Sequence, residues 1–418
     1  MVARERPGVP HHPRAAHEKE RETAHENARG PAPYATIDAM DHGPGAPAHV
    51  VSALVRELAR RADPGRLRQD VDFLADRPRG RTHAPDAMLR AEAYVARRLA
   101  EAGWLTERRP FDVRWRPGCT DRPGGARLSP FRFRVHRRLT GANLLARLPD
   151  GADGGDRHDR GDEDVRNDRG DRPAVLVGAH LDTVAGSPGA DDNASGVAAL
   201  LEVARLLAGL PRPPAVRLAF FDMEELGFVG ARVVARAAGR GQRIAGMLCL
   251  ESVGCFDTEP GTQTVPPGFG TVFPGAAGAV RANGRRGDFV LVVHRRSSET
   301  AAGLWRRAAA ATDPRLPVVT LRDPRPDGPL GTLAGLAVPP VNHLGRSDHA
   351  AFWNAGIPAV LLTGTANFRN PRYHRPTDTP DTVDHERLAA VAVATAVTAA
   401  LWQPPGPSRP FRPRRHRP

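Results

Sequence analysis

Through the middle of the chain, apolar residues come in short continuous runs, and polar residues gather directly behind them. AVLVG (174–178), VRLAFF (216–221), GMLCL (246–250), FVLVV (289–293) and IPAVLL (357–362) do not alternate with polar positions, which is the pattern of strands buried on both faces. Between them the period changes to that of a helix. Val197, Leu200, Leu201, Ala204 and Leu207 fall on one helical face, and Gly209 and Pro211 stop that helix. A last helix runs roughly from His385 to Trp402. Upstream, Val51, Leu54, Val55 and Leu58 mark one helix, Met88, Leu89, Val95 and Leu99 mark a second ending near Gly103, and ANLLARL (142–148) reads as a strand. Buried strands alternating with helices predict an α/β fold: a mostly parallel, mixed central sheet with helices on both faces, joined by right-handed crossovers.

Three segments do not fit a packed domain. Residues 1–48 are rich in Pro, Gly, His and charge without an apolar period, and disorder is expected there. Residues 151–173 carry mixed charge and no apolar pattern, which predicts an exposed, disordered insertion. The run from Pro404 to Pro418 is a basic tail of Pro and Arg. The folded domain is therefore expected over 49–403, and a chain of 418 residues has room for a large core.

The formal net charge of +13 raises the question of nucleic acid or an anionic membrane as a partner. Lys19 is the only lysine and arginine carries the rest, so the charge reads as a residue bias and neither partner is expected. Cys119, Cys249 and Cys255 show no CxxC spacing, so neither a disulfide framework nor a thiolate zinc site is indicated. No apolar stretch of signal-peptide length opens the chain and none is long enough to span a bilayer. A cytoplasmic protein is expected, with export requiring a different start; the oligomeric state is left open.

Ligands of open α/β sheets bind beyond the carboxyl ends of the strands, and there the chain places metal-type side chains. His180 and Asp182 follow the first run, Asp222, Glu224 and Glu225 the second, and Glu251 the third. Asp191 and Asp192 precede the crossover helix, and His374 follows the last strand. Imidazole and carboxylate are good zinc ligands, and one carboxylate can bridge two ions. A carboxylate that is not a ligand can move a proton from water to a leaving amine, and Glu224, beside a ligating neighbour, fits that task.

In GAHLDTVAGSPGADDNASG, FFDMEELGFVGA, LES, SDHAAFWNAGIPA and YHRPTDTPDT, the chain closely resembles the M28 family of zinc aminopeptidases and related exopeptidases, over about Gly178 to Asp384. In that family's pattern the bridging Asp lies twelve positions after the His of the HxD motif, which selects Asp192 over Asp191. The resemblance implies a zinc-exopeptidase architecture and two zinc ions per chain, with His180 and Glu251 on one, Glu225 and His374 on the other, and Asp192 shared. It makes Asp182 the residue that orients His180 through its other ring nitrogen, and puts Tyr373 where a hydroxyl can meet an oxyanion. Glu251 stands where Asp is commoner, and Gly364 where the branch with Glu tends to carry an acidic residue.

Other readings explain less. Ser347, Asp348 and His349 are contiguous, so they cannot line up as a nucleophilic triad, and they read as a helix start near the site. Ser195 lacks a GxSxG context and reads as a helix cap. Cys249 and Cys255 flank Glu251 but read as small buried hydrophobes. The expected activity is hydrolysis of N-terminal peptide bonds with Glu224 as general base. One rival is an acyltransferase of the glutaminyl cyclase type, which uses a single zinc. The other is a non-catalytic domain of peptidase descent, for which loss of ligands or of Glu224 would be expected.

Overall fold

The computed structural model describes residues 46–120, 132–149, 173–238, 244–312, 316–334 and 339–404. Apart from their inner boundaries, the expected N-terminal segment, insertion and tail lie outside these residues. Eight strands form one mixed sheet in the order β1-β2-β4-β3-β5-β8-β6-β7: β1 (Leu105–Thr120), β2 (Arg132–Arg147), β3 (Ala174–His180), β4 (Val216–Phe221), β5 (Ile244–Glu251), β6 (Val290–His294), β7 (Val318–Arg322) and β8 (Ala359–Thr363). The four central strands β4, β3, β5 and β8 run parallel to one another. Antiparallel pairs lie outside them, β1 with β2, β2 with β4 and β6 with β8.

Each central strand buries both faces, so alternate residues enter two different cores. Leu218 and Phe220, Leu248 and Leu250, Val360 and Leu362 point into one apolar cluster, while Ala219 and Phe221, Met247 and Cys249, Ala359 and Leu361 point into the other. The first cluster is covered by α1 (Ala48–Ala59), α2 (Pro64–Leu74), α3 (Pro85–Glu101), α4 (Gly196–Ala208), α7 (Glu299–Thr312) and α9 (His385–Leu401). The second packs against α5 (Val229–Ala238), α6 (Pro274–Ala282) and α8 (His349–Asn354). The α9 helix is apolar nearly all round, from Leu388 to Ala399, because it lies inside the first layer. Among the described residues no helix is long and apolar enough to cross a membrane.

The strand expected at 142–148 is the last part of β2, whereas β1 and the first part of β2 were not legible in the pattern. β1 carries Arg108, Arg109, Arg114 and Arg116, with prolines at 110 and 117. Such a sequence is tolerated at the rim, where β1 pairs on one side only. β7 lies at the opposite rim.

Because β3, β4, β5 and β8 are parallel, their carboxyl ends open on one edge of the sheet. His180 is the last residue of β3 and Glu251 the last of β5; Asp222 to Glu225 follow β4, and the turn bearing His374 follows β8.

Candidate metal centre

His180 sits at the end of β3 with its Nδ1 3.0 Å from the carbonyl oxygen of Asp182. A carbonyl only accepts, so Nδ1 carries the proton and Nε2 is the atom presented to the site. That Nε2 lies 3.1 Å from Asp192 Oδ1 and 3.3 Å from Glu251 Oε2. On the other side, His374 Nε2 lies 3.0 Å from Asp192 Oδ2 and 3.2 Å from Glu225 Oε2. Potential ligand atoms thus form two groups, His180 with Asp192 and Glu251, and His374 with Asp192 and Glu225, each within 4.8 Å. Asp192 is the member they share, one oxygen toward each. Glu224 meets His180 and Glu225 in a third group and belongs to neither of the two built on Asp192.

Irregular backbone aims these side chains. Asp192 (φ −114°, ψ 88°) breaks the turn of Ala190–Ser195 that leads into α4, and the Asp192–Asn193 peptide bond is cis. Met223 (φ 59°), just before Glu224, Ser252 (φ 49°), just after Glu251, and His374 (φ 59°) all occupy the left-handed region, at about 1–3 kcal/mol each. Side chains hold the distortion in place. Asn193 donates to Leu250 O (2.9 Å) and accepts from Ser252 N (3.1 Å), tying the α4 entrance to the end of β5. Ser252 Oγ (2.9 Å) and Ser347 Oγ (2.8 Å) each donate to one oxygen of Glu251.

The centre is buried: His180, Asp192, Glu224, Glu225, Glu251 and His374 are each at most 9% exposed. His180 Nε2, His374 Nε2, Asp192 Oδ2 and Glu225 Oε1 have no hydrogen-bond partner although they face one another. Burial disfavours a protonated imidazole, yet Glu251 and Glu224 hold His180 well above its ordinary value, and Glu225 and Asp192 do the same for His374. Burial would raise Asp192, but the two imidazoles hold it well below the usual carboxylate range. Burial pushes Glu225 up to about 7 against the pull of His374. Glu224 is pushed well above its range by burial; His180 opposes the rise, and Glu225, Glu251 and Asp348 add to it. A cluster of buried acids and imidazole nitrogens with unmet bonding capacity fits divalent cations of intermediate hardness, and the donor set of nitrogen and oxygen without thiolate fits zinc.

The details around the centre go beyond expectation. Asp182 meets the other ring nitrogen of His180 through its carbonyl oxygen, while its carboxylate, with Oδ1 3.6 Å from Nδ1, accepts from the backbone amides of Glu224 (3.0 Å) and Glu225 (3.3 Å). The amides lie closer than the ring, so the carbonyl of Asp182 serves the histidine and the carboxylate serves the acidic dipeptide. Ser195 does not cap α4; its hydroxyl donates to Asp191 O (2.6 Å) and accepts from Val253 N (3.1 Å), while Asn193 Oδ1 accepts from Gly196 N (3.2 Å). Gly364 is a steric requirement, since a Cβ there would lie 2.4 Å from Ser252 O. Tyr373 stacks flat on His374 with ring centroids 3.8 Å apart.

Pattern reading gave no task to four residues around the centre. Asp191 accepts from the amides of Gly254 (2.8 Å) and Cys255 (2.9 Å) and from Asn370 (3.1 Å), which keeps it out of the cluster. Asp378 accepts from the amides of Asp191 and Asp192, both at 3.2 Å, and is pushed up to about 7 by burial and by those two carboxylates. Buried Arg79 donates to the carbonyls of Leu74, Leu181, Pro188 and Gly189, closing the loop that links His180 to Asp192. Asp348 is fully buried with neither oxygen hydrogen-bonded. Asp378 lies inside the YHRPTDTPDT motif, which was the one available signal.

The model of peptidase family M28 matches residues 164–282 and 331–399. The chain is 34% identical over 235 residues to the uncharacterized protein YfbL of Escherichia coli, covering 53% of this chain and 64% of that one. It is 30% identical over 253 residues to the probable lipoprotein aminopeptidase LpqL of Mycobacterium tuberculosis, covering 54% and 42%. The chain thus spans less than two thirds of either relative. Its fold is similar to that of an aminopeptidase from Aneurinibacillus sp. strain AM-1 (TM-score 0.52, 18% identity, 84% of this chain and 97% of that one) and of BSAP, a zinc aminopeptidase from Bacillus subtilis (TM-score 0.52, 16% identity, 82% and 95%). The motifs, the sheet that carries them and the family match agree in one likeness: over these two stretches the chain is similar to peptidase family M28.

Proposed function

We propose that the chain is a zinc-dependent aminopeptidase that hydrolyses N-terminal peptide bonds. The observation that carries this reading is the pair of buried ligand groups meeting at Asp192. His180 and Glu251 would hold one zinc ion, Glu225 and His374 a second, and Asp192 both. Relatives named aminopeptidases support the substrate class, and a solved neighbour named a zinc aminopeptidase supports the metal. Bound zinc supplies Lewis acidity, polarising the scissile carbonyl and easing deprotonation of water.

This chain's side chains then divide the work. Glu224, outside both ligand groups and raised by burial, takes the proton of the attacking water and passes it to the departing amine; a base raised toward neutrality suits both transfers. Asp182 holds that base in place by accepting the amides of Glu224 and Glu225. Tyr373, kept beside the centre by its stack on His374, donates its hydroxyl to the oxyanion. Ser252 and Ser347 fix both oxygens of Glu251 and so its orientation as a ligand.

Metal analysis of zinc-replete protein together with a panel of aminoacyl chromogenic substrates tests the reading. About two zinc ions per chain and release of N-terminal residues are expected. One ion with cyclisation of N-terminal glutamine would replace it with the acyltransferase reading, and full zinc occupancy without turnover of any peptide would leave a binding domain.

A further inference from the structure

The β1–β2 hairpin is seated on α5. Phe111 and Leu139 of the hairpin are buried with Met223 and Val229, and Val113 and Val233 pack against the same cluster. Beyond Val113 the hairpin turns from apolar to cationic. Trp115 is 65% exposed, has a left-handed φ of 51°, and stands in the gap between two ladder pairs, Arg114 with Arg138 and Arg116 with His136. A bulky residue rarely adopts that conformation, and such departures gather at binding and switching sites. The Arg137 guanidinium lies 5.6 Å from the Trp115 ring centroid, within reach of a cation–π contact.

A bias toward arginine does not make a site, because other arginines of the hairpin are answered by carboxylates. Arg108 pairs with Glu92 (3.1 Å), Arg109 with Glu107 (2.8 Å) and Arg138 with Asp112 (2.6 Å). Arg116 is different. Its Nη2 is buried without a hydrogen-bond partner, and the charge that faces it is of its own sign: burial lowers its pKa and Arg236 lowers it further. Arg236 is an exposed side chain in the last turn of α5. The dipole of α5 gives Arg236 a reason to sit there, but gives none for Arg116 to face it. Two guanidiniums with an unpaired buried donor repel each other across the contact of hairpin and helix. A dianion between them replaces that repulsion with charge-assisted hydrogen bonds on both sides, and the planar fork of arginine matches the paired oxygens of a phosphate group.

We propose that Arg116 and Arg236 form a binding site for a phosphate-type dianion, free or borne by an ester, outside the metal centre. Neither arginine is a ligand or the base, so the site stands apart from the aminopeptidase reading. A dianion held there ties the hairpin to α5, over the cluster that contains Met223, the left-handed residue before Glu224.

The test titrates inorganic phosphate into the full chain by isothermal calorimetry at constant ionic strength. Wild type is compared with Arg116→Gln, Arg236→Gln and Arg138→Gln, the last removing one charge from a hairpin arginine that already has a carboxylate. Phosphate taken up at the metal centre is common to all four, so the differences between them read the hairpin site. Arg116→Gln and Arg236→Gln are each expected to weaken binding by about 10-fold or more, the usual worth of a hydrogen bond to a charged group. Arg116→Lys, which keeps the charge and loses the fork, should fall between, and Arg138→Gln should stay within about 2-fold of wild type. Because Arg236 is exposed, its variant keeps the idea testable if Arg116→Gln does not fold. Equal affinity in wild type, Arg116→Gln and Arg236→Gln overturns the proposal. So does an equal loss in all three glutamine variants, the mark of diffuse surface charge. Absence of phosphate binding overturns it as well, and tight binding of a DNA oligonucleotide in that case would assign the hairpin to a polymer. Glycerol 2-phosphate, titrated in parallel, separates the two sources of the anion: binding of both extends the site to esters, binding of inorganic phosphate alone restricts it to the free ion, and either sustains it.

Discussion

Glu224 and Glu225 share one chemistry, and one carboxylate, that of Asp182, holds both of their amides. Their side chains part company. Glu225 reaches His374 and the shared Asp192, whereas Glu224 stays outside both groups built on Asp192. Under the proposed roles, Glu224→Gln keeps shape and loses the base, so turnover should fall by ~10²-fold to ~10⁴-fold while metal content is unchanged. Glu225→Gln offers a neutral amide to a cation and should lose metal as well as activity, with partial recovery in excess zinc. Both variants are compared for zinc content and peptide hydrolysis in one preparation; near-native turnover by Glu224→Gln would sink the proposed chemistry. At this scale the sequence was most informative where a polar residue ended an apolar run, as for His180 and Glu251, because the strand end itself positions the side chain. It was silent on Arg79 and marked Asp378 only through the YHRPTDTPDT motif, without its task. Their work is to hold backbone amides and carbonyls of distant segments, and pairings across a hundred residues leave no periodic trace.

Elements were legible in proportion to how far packing alone decided them. The VRLAFF and AVLVG runs became β4 and β3 because a strand covered on both faces can contain little else. β1 escaped because its residues meet the demands of a sheet rim, where arginine and proline are acceptable and no apolar run is needed. The SDH run read correctly as the start of a helix, and α8 shows what its histidine does. His349 is fully buried, its Nε2 lies 2.8 Å from Leu344 O, and its ring meets Trp353 edge-on. Burial lowers its pKa to about 4, against about 6.5 when the chain is unfolded. The unfolded state therefore binds the proton first as pH falls. The stability associated with neutral His349 is intact above about pH 6.5 and is lost progressively toward pH 4, about 3 kcal/mol in all. In His349→Gln, which retains a donor for Leu344 O and cannot titrate in this range, the urea midpoint should change less between pH 6.5 and 4 than in the wild type. Parallel pH profiles for the two proteins would rule out this role for His349.

For the molecule as a whole, the cost of assembling the centre must be met by something that binds the folded state alone. The ends of β3, β4 and β5 and the segments behind them deliver Asp192, Glu224, Glu225 and Glu251 to one buried place, where like charges repel and lack water. Buried Arg79 answers part of that charge from behind, beside Asp182, Asp192 and Asp378. The rest is left to the ions that the two ligand groups would hold. An unfolded chain cannot bring those ligands together, so zinc binding adds directly to folding stability, by about 2.7 kcal/mol when free zinc is a hundredfold above its Kd. Chelation should then lower the urea midpoint of the whole domain, and added zinc should restore it with a dependence on zinc concentration that the linkage relation sets. Asp192→Asn removes the member common to both groups and should nearly abolish that dependence, while Tyr373→Phe, which touches neither group through a ligand atom, should retain it. The two variants separate metal-linked stability from a general response to mutation near the site. A midpoint unmoved by chelation, with loss of metal verified on the same sample, would mean that the buried acids are balanced by the protein itself and that the centre does not depend on a cation to fold.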